Sequence, residues 1–429
     1  MLDIKLIREN PDYVKAAIHK REMDLDHVID EILDVDQKRR EATGAVEAKK
    51  AQQNAASKEI PKIKKAGGDA SEVLARMKTL SEEIKEADAA LSELNEKQQT
   101  LMASLPNLPD EDVQPGGKEQ NIPDHVWGEK PQFDFEPKDH VTLCESLGMI
   151  DYPRGAKLGG NGAWVYRGWG ARMEWALLNF FINEHLNDGY ELILPPHMLN
   201  YECGYVAGQF PKFSDEVYWI QNPTSSDRKF LLPTAETALV NLHRDEILLA
   251  DELPKKYIAY TPCYRREAGS YRSEERGMIR GHQFNKVEMV QYTKPEDSDR
   301  AFQELVGKAE RLVQELGLHY RLSRLAAGDC SASMARTYDI EVWIPSMGIY
   351  KEVSSASNAR AYQARRGNIK YRDENRKLQF VHTLNASGLA TSRVMPAIVE
   401  QYQNADGSVT VPEVLRPYMG GVDVIRPQK

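Results

Sequence analysis

The chain reads as an α+β protein: an antiparallel β-sheet flanked by helices, preceded by an antiparallel α-helical coiled-coil hairpin. Three observations predict this. Residues 26–104 hold no aromatic residue and a single proline, Pro61, and Ala, Glu, Lys and Gln dominate them. These are strong helix formers. Beyond residue 135, strand-like stretches are separated by long loops and hairpins, which points to antiparallel pairing. Between the two regions lies a stretch rich in Pro, Gly, Asp and Glu, 106–135, that reads as a linker.

Residues 1–21 read as a short cap packed at the base of the hairpin. The first long helix, about 28–60, carries a weaker stripe: Ile32, Ala42, Val46, Gln53, Ala56 and Ile60. The second carries a stronger one: Val73, Met77, Leu80, Ile84, Ala87, Leu91, Leu94 and Leu101, with Gln98 filling the missing place. That 4-3-4-3 spacing is a heptad seam. Ala66, Gly67, Gly68 and Asp69 between them can reverse the chain. Each helix is roughly 50 Å long at about 1.5 Å per residue. One seam is too small for a globular core, so the hairpin is expected to stand as an arm. Residues 105–109, LPNLP, break the second helix.

In the body, 171–186 reads as an amphipathic helix and 190–194 as a strand stopped by Pro195 and Pro196. Strands at 258–260 and 284–290 frame a charged loop. A helix at 298–316, a strand at 338–344, a strand at 382–385 and a helix at 387–402 follow. The expected domains are 1–105, with the arm at about 27–104, a linker at 106–135, and 136–429.

Bulk properties exclude several classes. A net charge of −9 rules out a strongly basic nucleic-acid coat, though not a local basic surface. Lys38, Arg39, Arg40, Lys49, Lys50, Lys58, Lys62, Lys64 and Lys65 supply such a surface on the arm. The four cysteines are scattered without a C-x-x-C pair, so neither a zinc site nor a disulfide framework is expected. The first 21 residues lack a long apolar run, so no signal peptide is expected, and no apolar run of about 18 residues occurs. A reducing, soluble, cytoplasmic setting with no membrane is expected.

The most informative stretch is 261–291, TPCYRREAGSYRSEERGMIRGHQFNKVEMVQ. It reads as strand, charged loop, strand, with five arginines between apolar ends. Taken alone it suits either a polyanion site or a solvated hairpin tip. In company it resembles motif two of the class II aminoacyl-tRNA synthetases, and in detail the seryl-tRNA synthetases of bacterial type. Further stretches match that family in order. Residues 189–196 resemble motif one, the dimer-forming helix and strand. Residues 208–213 (GQFPKF) and 233–236 (PTAE) resemble its serine-side loops. Residues 337–343 (TYDIEVW) and 352–355 (EVSS) resemble its central strands, 384–393 (LNASGLATSR) motif three, and 411–418 (VPEVLRPY) its C-terminal signature. The helical arm sits where the family carries its tRNA-binding coiled coil, so the resemblance covers nearly the whole chain.

The resemblance implies a homodimeric serine–tRNA ligase with a class II catalytic domain over 136–429. Serine's carboxylate attacks the α-phosphorus of ATP, and the tRNA 3′-terminal ribose hydroxyl then takes the seryl group. A carboxylate is already ionised at about pH 7, so no protein nucleophile is needed. Alignment and charge stabilisation carry the chemistry. By resemblance Arg265 holds the α-phosphate and serine carboxylate, and its guanidinium fork suits both. Arg265 and Glu267, two residues apart, are expected to point the same way on the entering strand, and Glu267 accepts from the adenine amino group. Phe284 stacks adenine against Arg393, which also reaches the γ-phosphate. Arg266, Val353 and Ser354 complete the nucleotide set. Glu352 and Ser355 are the expected Mg²⁺ ligands, hard oxygens suited to that ion.

Thr234, Ala235, Glu236, Glu288 and Ser387 are the implied L-serine set. Only buried polar groups can favour a hydroxymethyl over a methyl. By resemblance Glu236 takes the ammonium and Glu288 the hydroxyl. Glu288 on an apolar strand is also a buried charge that needs a partner. The arm would grip serine tRNA, with selenocysteine tRNA as a second substrate where a host carries it, and the motif-two loop would meet the acceptor end.

Several positions depart from the family pattern. Ala386 stands where glycine is commoner. Thr391 and Ser392 break the frequent Ala-Val-Gly-Arg form but keep Arg393, and Arg266, the tip at 271–275 and Gly367 also differ. Two other readings compete: a paralogue that loads a non-tRNA acceptor or confers antibiotic self-resistance, and a non-catalytic coiled-coil interaction protein. The arm disfavours the first and the intact site residues disfavour the second.

Overall fold

The computed structural model describes residues 1–221, 227–267 and 277–427. They form two compact units, one of residues 2–19 and 23–106, the other of residues 1, 20–22 and 107–429.

The smaller unit is helical. Its long helices are α1 (Asp26–Lys65) and α2 (Ser71–Ser104). Gly67, at φ 73°, turns the chain, and Asp69 accepts from the Ser71 amide at 2.9 Å. Cross-helix pairs Glu31–Lys97, Lys49–Glu83 and Glu59–Arg76 record the antiparallel register. The seam residues are buried or half-buried, as their spacing predicts. One seam residue escaped the apolar pattern. Asp36 is fully buried and accepts from Arg8 Nε at 2.9 Å, Arg40 Nε at 3.1 Å and Gln98 Nε2 at 3.1 Å. The gap that Gln98 makes in the heptad is therefore a polar layer matched across the hairpin. Desolvation pushes the Asp36 carboxyl up, and Gln98, Arg8, Arg39 and Arg40 together bring it below its usual value.

The larger unit is built on an eight-stranded sheet. In chain order its strands are β1 (Ile122–Trp127), β2 (Glu191–Leu192), β3 (Lys255–Tyr264), β4 (Gln283–Thr293), β5 (Tyr320–Arg324), β6 (Arg336–Ile344), β7 (Ile349–Arg360) and β8 (His382–Ala390). Across the sheet they run β1-β5-β6-β7-β8-β4-β3-β2. All neighbours are antiparallel except the edge pair β2–β3. Helices α3 (Gly168–Asn187), α4 (Ser298–Glu315) and α5 (Thr391–Gln401) share its core, with Phe181, Phe302, Leu305, Ile340, Val353, Leu389 and Ile398. On α4 the buried Ala301, Phe302, Leu305, Val306, Ala309, Leu312 and Val313 recur at helical spacing, which is why this stretch folds as a helix on the sheet.

The structure differs from the sequence reading in four places. Within the stretch read as linker, Ile122–Trp127 is an edge strand paired with Tyr320–Arg324. Its residues are exposed on both faces, so no burial alternation marked it. The motif-one strand has only two paired residues. The strand expected at 382–385 continues to Ala390, so Ser387 lies on a strand and not on the following helix. Its small residues carry little propensity, and the ladder with β4 and β7 decides their conformation. Finally, β3 ends at Tyr264, so Arg265 and Glu267 stand in the loop beyond it, with Glu267 at φ 50°. The predicted contacts of the tip at 271–275 fall outside the described residues.

Candidate active site

The sheet register gathers the site. Glu288 on β4 lies opposite Ser387 on β8 and Ala259 on β3. On the neighbouring strands, Ser355 of β7 lies opposite Asp339 of β6. Strand alternation puts Phe284, Lys286 and Glu288 on one face of β4. Two adjoining cavities open over this region. One, of about 760 Å³, is lined among others by Asp339, Glu341, Glu352, Ser355, Arg280 and Arg393. The second is lined by Arg265, Glu267, Phe284, Lys286, Val353 and Ser387, and it shares Glu352, Arg280 and Arg393 with the first.

Within the cleft, Arg265 is held by a hydrogen bond from Nε to the Pro233 carbonyl at 3.2 Å, and its guanidinium carbon lies 5.2 Å from the Phe284 ring centroid. Arg393, on the first turn of α5, donates to the Glu352 carbonyl at 2.9 Å and approaches its carboxylate at 3.3 Å. Glu267 pairs with Arg280 at 2.6 Å. Arg266 is turned away and donates to the Asp215 carbonyl at 3.0 Å. Ser355 donates to Asp339 at 2.6 Å. Burial and the nearby Glu352 push Asp339 well above the usual carboxylate range. Desolvation acts the same way on Glu352, but Arg393 and Arg265 outweigh it and hold that carboxyl low. Two guanidinium forks thus favour the anionic form of Glu352 at the cleft wall.

Beneath the cleft lie Thr234, Ala235, Glu236 and Glu288, all buried. Glu288 is fully buried and pairs with Lys286 Nζ at 2.5 Å, while Lys286 also donates to Thr234 Oγ1 at 2.9 Å. Asn385 Nδ2 bridges the two carboxylates, 3.0 Å from Glu288 Oε1 and 3.4 Å from Glu236 Oε2. Gln363 donates to Glu236 Oε1 at 2.7 Å. Burial, and then the like charge of Glu288, raise the Glu236 carboxyl to about 7. Ser354 faces the other way and donates to the Ser387 carbonyl at 2.6 Å.

The family model for the seryl-tRNA synthetase N-terminal domain matches residues 1–109, and that for the tRNA synthetase class II core domain (G, H, P, S and T) matches residues 218–402. Serine--tRNA ligase 2 of Clostridium acetobutylicum is 63% identical over 423 residues, 98% of this chain and 99% of that protein. The chain belongs to the seryl-tRNA synthetase family.

Solved structures of that family agree. Seryl-tRNA synthetase from Pyrococcus horikoshii complexed with ATP matches with a TM-score of 0.93 at 34% identity, covering 100% of both chains. Cytoplasmic serine-tRNA ligase from Naegleria fowleri in complex with AMP matches with a TM-score of 0.88 at 29% identity, covering 100% of this chain and 99% of that one. The fold is a class II synthetase core with an antiparallel sheet and helices, preceded by the two long helices of the arm.

Sequence reasoning left several neighbours without a role. Lys286 was legible in principle: it precedes Glu288 by two residues on a strand, hence on the same face. Asn385 sat inside a quoted motif. Asp339 and Gln363 become visible only through strand register and tertiary packing. The departure at Gly367 has a steric cause, since a Cβ there would sit 2.9 Å from Val206 Cγ1.

Proposed function

We infer that this chain is a serine–tRNA ligase whose cleft performs serine activation and transfer. In the first step a serine carboxylate oxygen bonds to the α-phosphorus of ATP, the bond to the β-phosphate oxygen breaks, and pyrophosphate leaves with its electron pair. In the second, the 3′-terminal ribose hydroxyl of tRNA attacks the seryl carbonyl, AMP departs, and the hydroxyl proton passes to phosphate or solvent. The observation that carries this reading is the joining of two guanidinium forks, Arg265 and Arg393, over an aromatic floor, Phe284, with two buried carboxylates beneath.

Arg265 takes the α-phosphate and serine carboxylate, where charge changes hands. Phe284 stacks adenine against Arg393, and Glu267 accepts from its amino group. Glu352 and Ser355 offer hard oxygen donors on the cleft wall, a set that fits Mg²⁺. When bound, that ion neutralises phosphate charge and orients the triphosphate. Glu236 binds the serine ammonium, Glu288 the hydroxyl, and Thr234 and Ser387 complete the pocket. Lys286 sets its ammonium beside Glu288 and orients that carboxyl in the pocket.

The helical arm binds serine tRNA through its backbone and shape, and its exposed lysines suit phosphate contact. Two copies of the chain pair through the exposed face of α3 and the adjoining edge, where Trp175 is 56% and Leu194 77% exposed. No helix among the described residues is long and apolar enough to cross a membrane. We place the enzyme in the cytoplasm, with its tRNA.

Serine-dependent ATP–pyrophosphate exchange, followed by charging of purified serine tRNA, tests this. Both activities are expected. Exchange without charging would leave the paralogue reading, and no exchange would leave the interaction protein.

A further inference from the structure

Glu174 belongs to α3, outside every motif that carries the chemistry, yet its carboxylate lies behind the cleft. It is 4% exposed. One oxygen, Oε1, accepts two hydrogen bonds from two different site-bearing elements: Asn285 Nδ2 of β4 at 2.7 Å and Thr391 Oγ1, the first residue of α5, at 2.6 Å. The Thr391 hydroxyl is also 3.2 Å from the Asn285 carbonyl. The Tyr260 hydroxyl donates to Asn285 Oδ1 at 3.3 Å.

The neighbours of these residues give the arrangement its meaning. Asn285 lies between Phe284 and Lys286, and strand alternation turns it to the opposite face from both. Thr391 precedes Arg393 by two residues on the opening turn of α5. Glu174 therefore ties together, from behind, the strand that carries the aromatic floor and the helix that carries the second guanidinium. Burial makes each of these bonds costly to lose. The tie also accounts for a departure in the sequence: Thr391 stands where the family often has valine, and only a hydroxyl can make the bond.

We propose that Glu174 is a positioning residue for the nucleotide, fixing through Asn285 and Thr391 the separation at which Phe284 and Arg393 clamp ATP. The proposal rests on the reading of Phe284 and Arg393 as nucleotide ligands. A positioning shell of this kind acts on the substrate its ligands touch, and here that is ATP and not serine.

The test is ATP–pyrophosphate exchange by the full chain, with KM for ATP and KM for serine measured separately. Thr391→Val keeps the side-chain shape and removes the hydroxyl. It is expected to raise KM for ATP roughly tenfold and to leave KM for serine within about twofold. Thr391→Ser restores the parent value. Glu174→Gln, which keeps an acceptor oxygen, stays near the parent, and Glu174→Leu matches Thr391→Val. The double variant Glu174→Leu with Thr391→Val is no worse than Glu174→Leu alone, because both break one tie. Should Glu174→Leu fail to fold, Thr391→Val and Thr391→Ser decide. Equal rises in both KM values, or an unchanged KM for ATP in Thr391→Val, overturn the proposal. Phe284→Ala serves as the control. If it raises KM for ATP while Thr391→Val does not, only the role of Glu174 falls. If it leaves KM for ATP unchanged, the nucleotide reading falls as well.

Discussion

Glu236 carries a property that pH can read. Its carboxyl sits near 7 because burial and then Glu288 disfavour the charged form. In the role proposed for Glu236, the serine ammonium binds the carboxylate and not the neutral acid. Below about pH 7 the free enzyme holds a proton that serine must displace, so kcat/KM for serine in the exchange reaction should fall about tenfold per pH unit there and level off above it. Glu236→Gln should flatten this limb and lower the plateau. A limb that persists in Glu236→Gln would assign it to another group. Lys286 is tested through stability. It is the cation beside a fully buried Glu288, so Lys286→Met should cost roughly 3–5 kcal/mol in urea unfolding. Adding Glu288→Gln should return part of that loss, and a Lys286→Met chain as stable as the parent would contradict the pairing. At this scale the sequence exposed the charged residues but not their partners. Glu288 announced a need for a counter-charge, while Asn385, Gln363 and Asp339 meet their partners through strand pairing and tertiary packing that no local pattern encodes.

The helical hairpin was the most legible element, because a heptad seam is a local periodicity and needs no distant partner to be recognised. Its one polar layer was half legible: Gln98 showed as a gap, whereas Asp36, its acceptor across the hairpin, looked like an ordinary surface acid. Strands were harder. The exposed edge Ile122–Trp127 has no buried face to set a period, and the small residues of 386–390 take their conformation from two flanking strands. Propensity is weakest where tertiary pairing decides. The arm's separateness makes its own prediction. Deleting residues 30–100 should leave serine-dependent pyrophosphate exchange within about threefold of the parent and reduce tRNA charging below detection. Loss of exchange in equal measure would show that the arm serves the cleft as well as the tRNA.

For the whole molecule, the exposed Trp175 and Leu186 of α3, with Leu192 and Leu194 at the edge strand β2, are where we propose that a second copy docks. Sedimentation should give about twice the chain mass, and Trp175→Glu should shift the chain toward monomer. A parent chain that sediments as a monomer at micromolar concentration would remove the dimer. The central claim lies in the cleft, where a polar pocket under a nucleotide site reads one hydroxyl. Amino-acid-dependent exchange with serine and with alanine measures it most directly. The arrangement of Glu236, Glu288, Lys286 and Asn385 predicts a kcat/KM for serine about 10⁴-fold above that for alanine, because alanine leaves buried polar groups unpaired. Glu288→Ala should lower that ratio by at least about a hundredfold, chiefly through loss of serine activity. Alanine exchanged within about tenfold of serine by the parent enzyme would contradict the account.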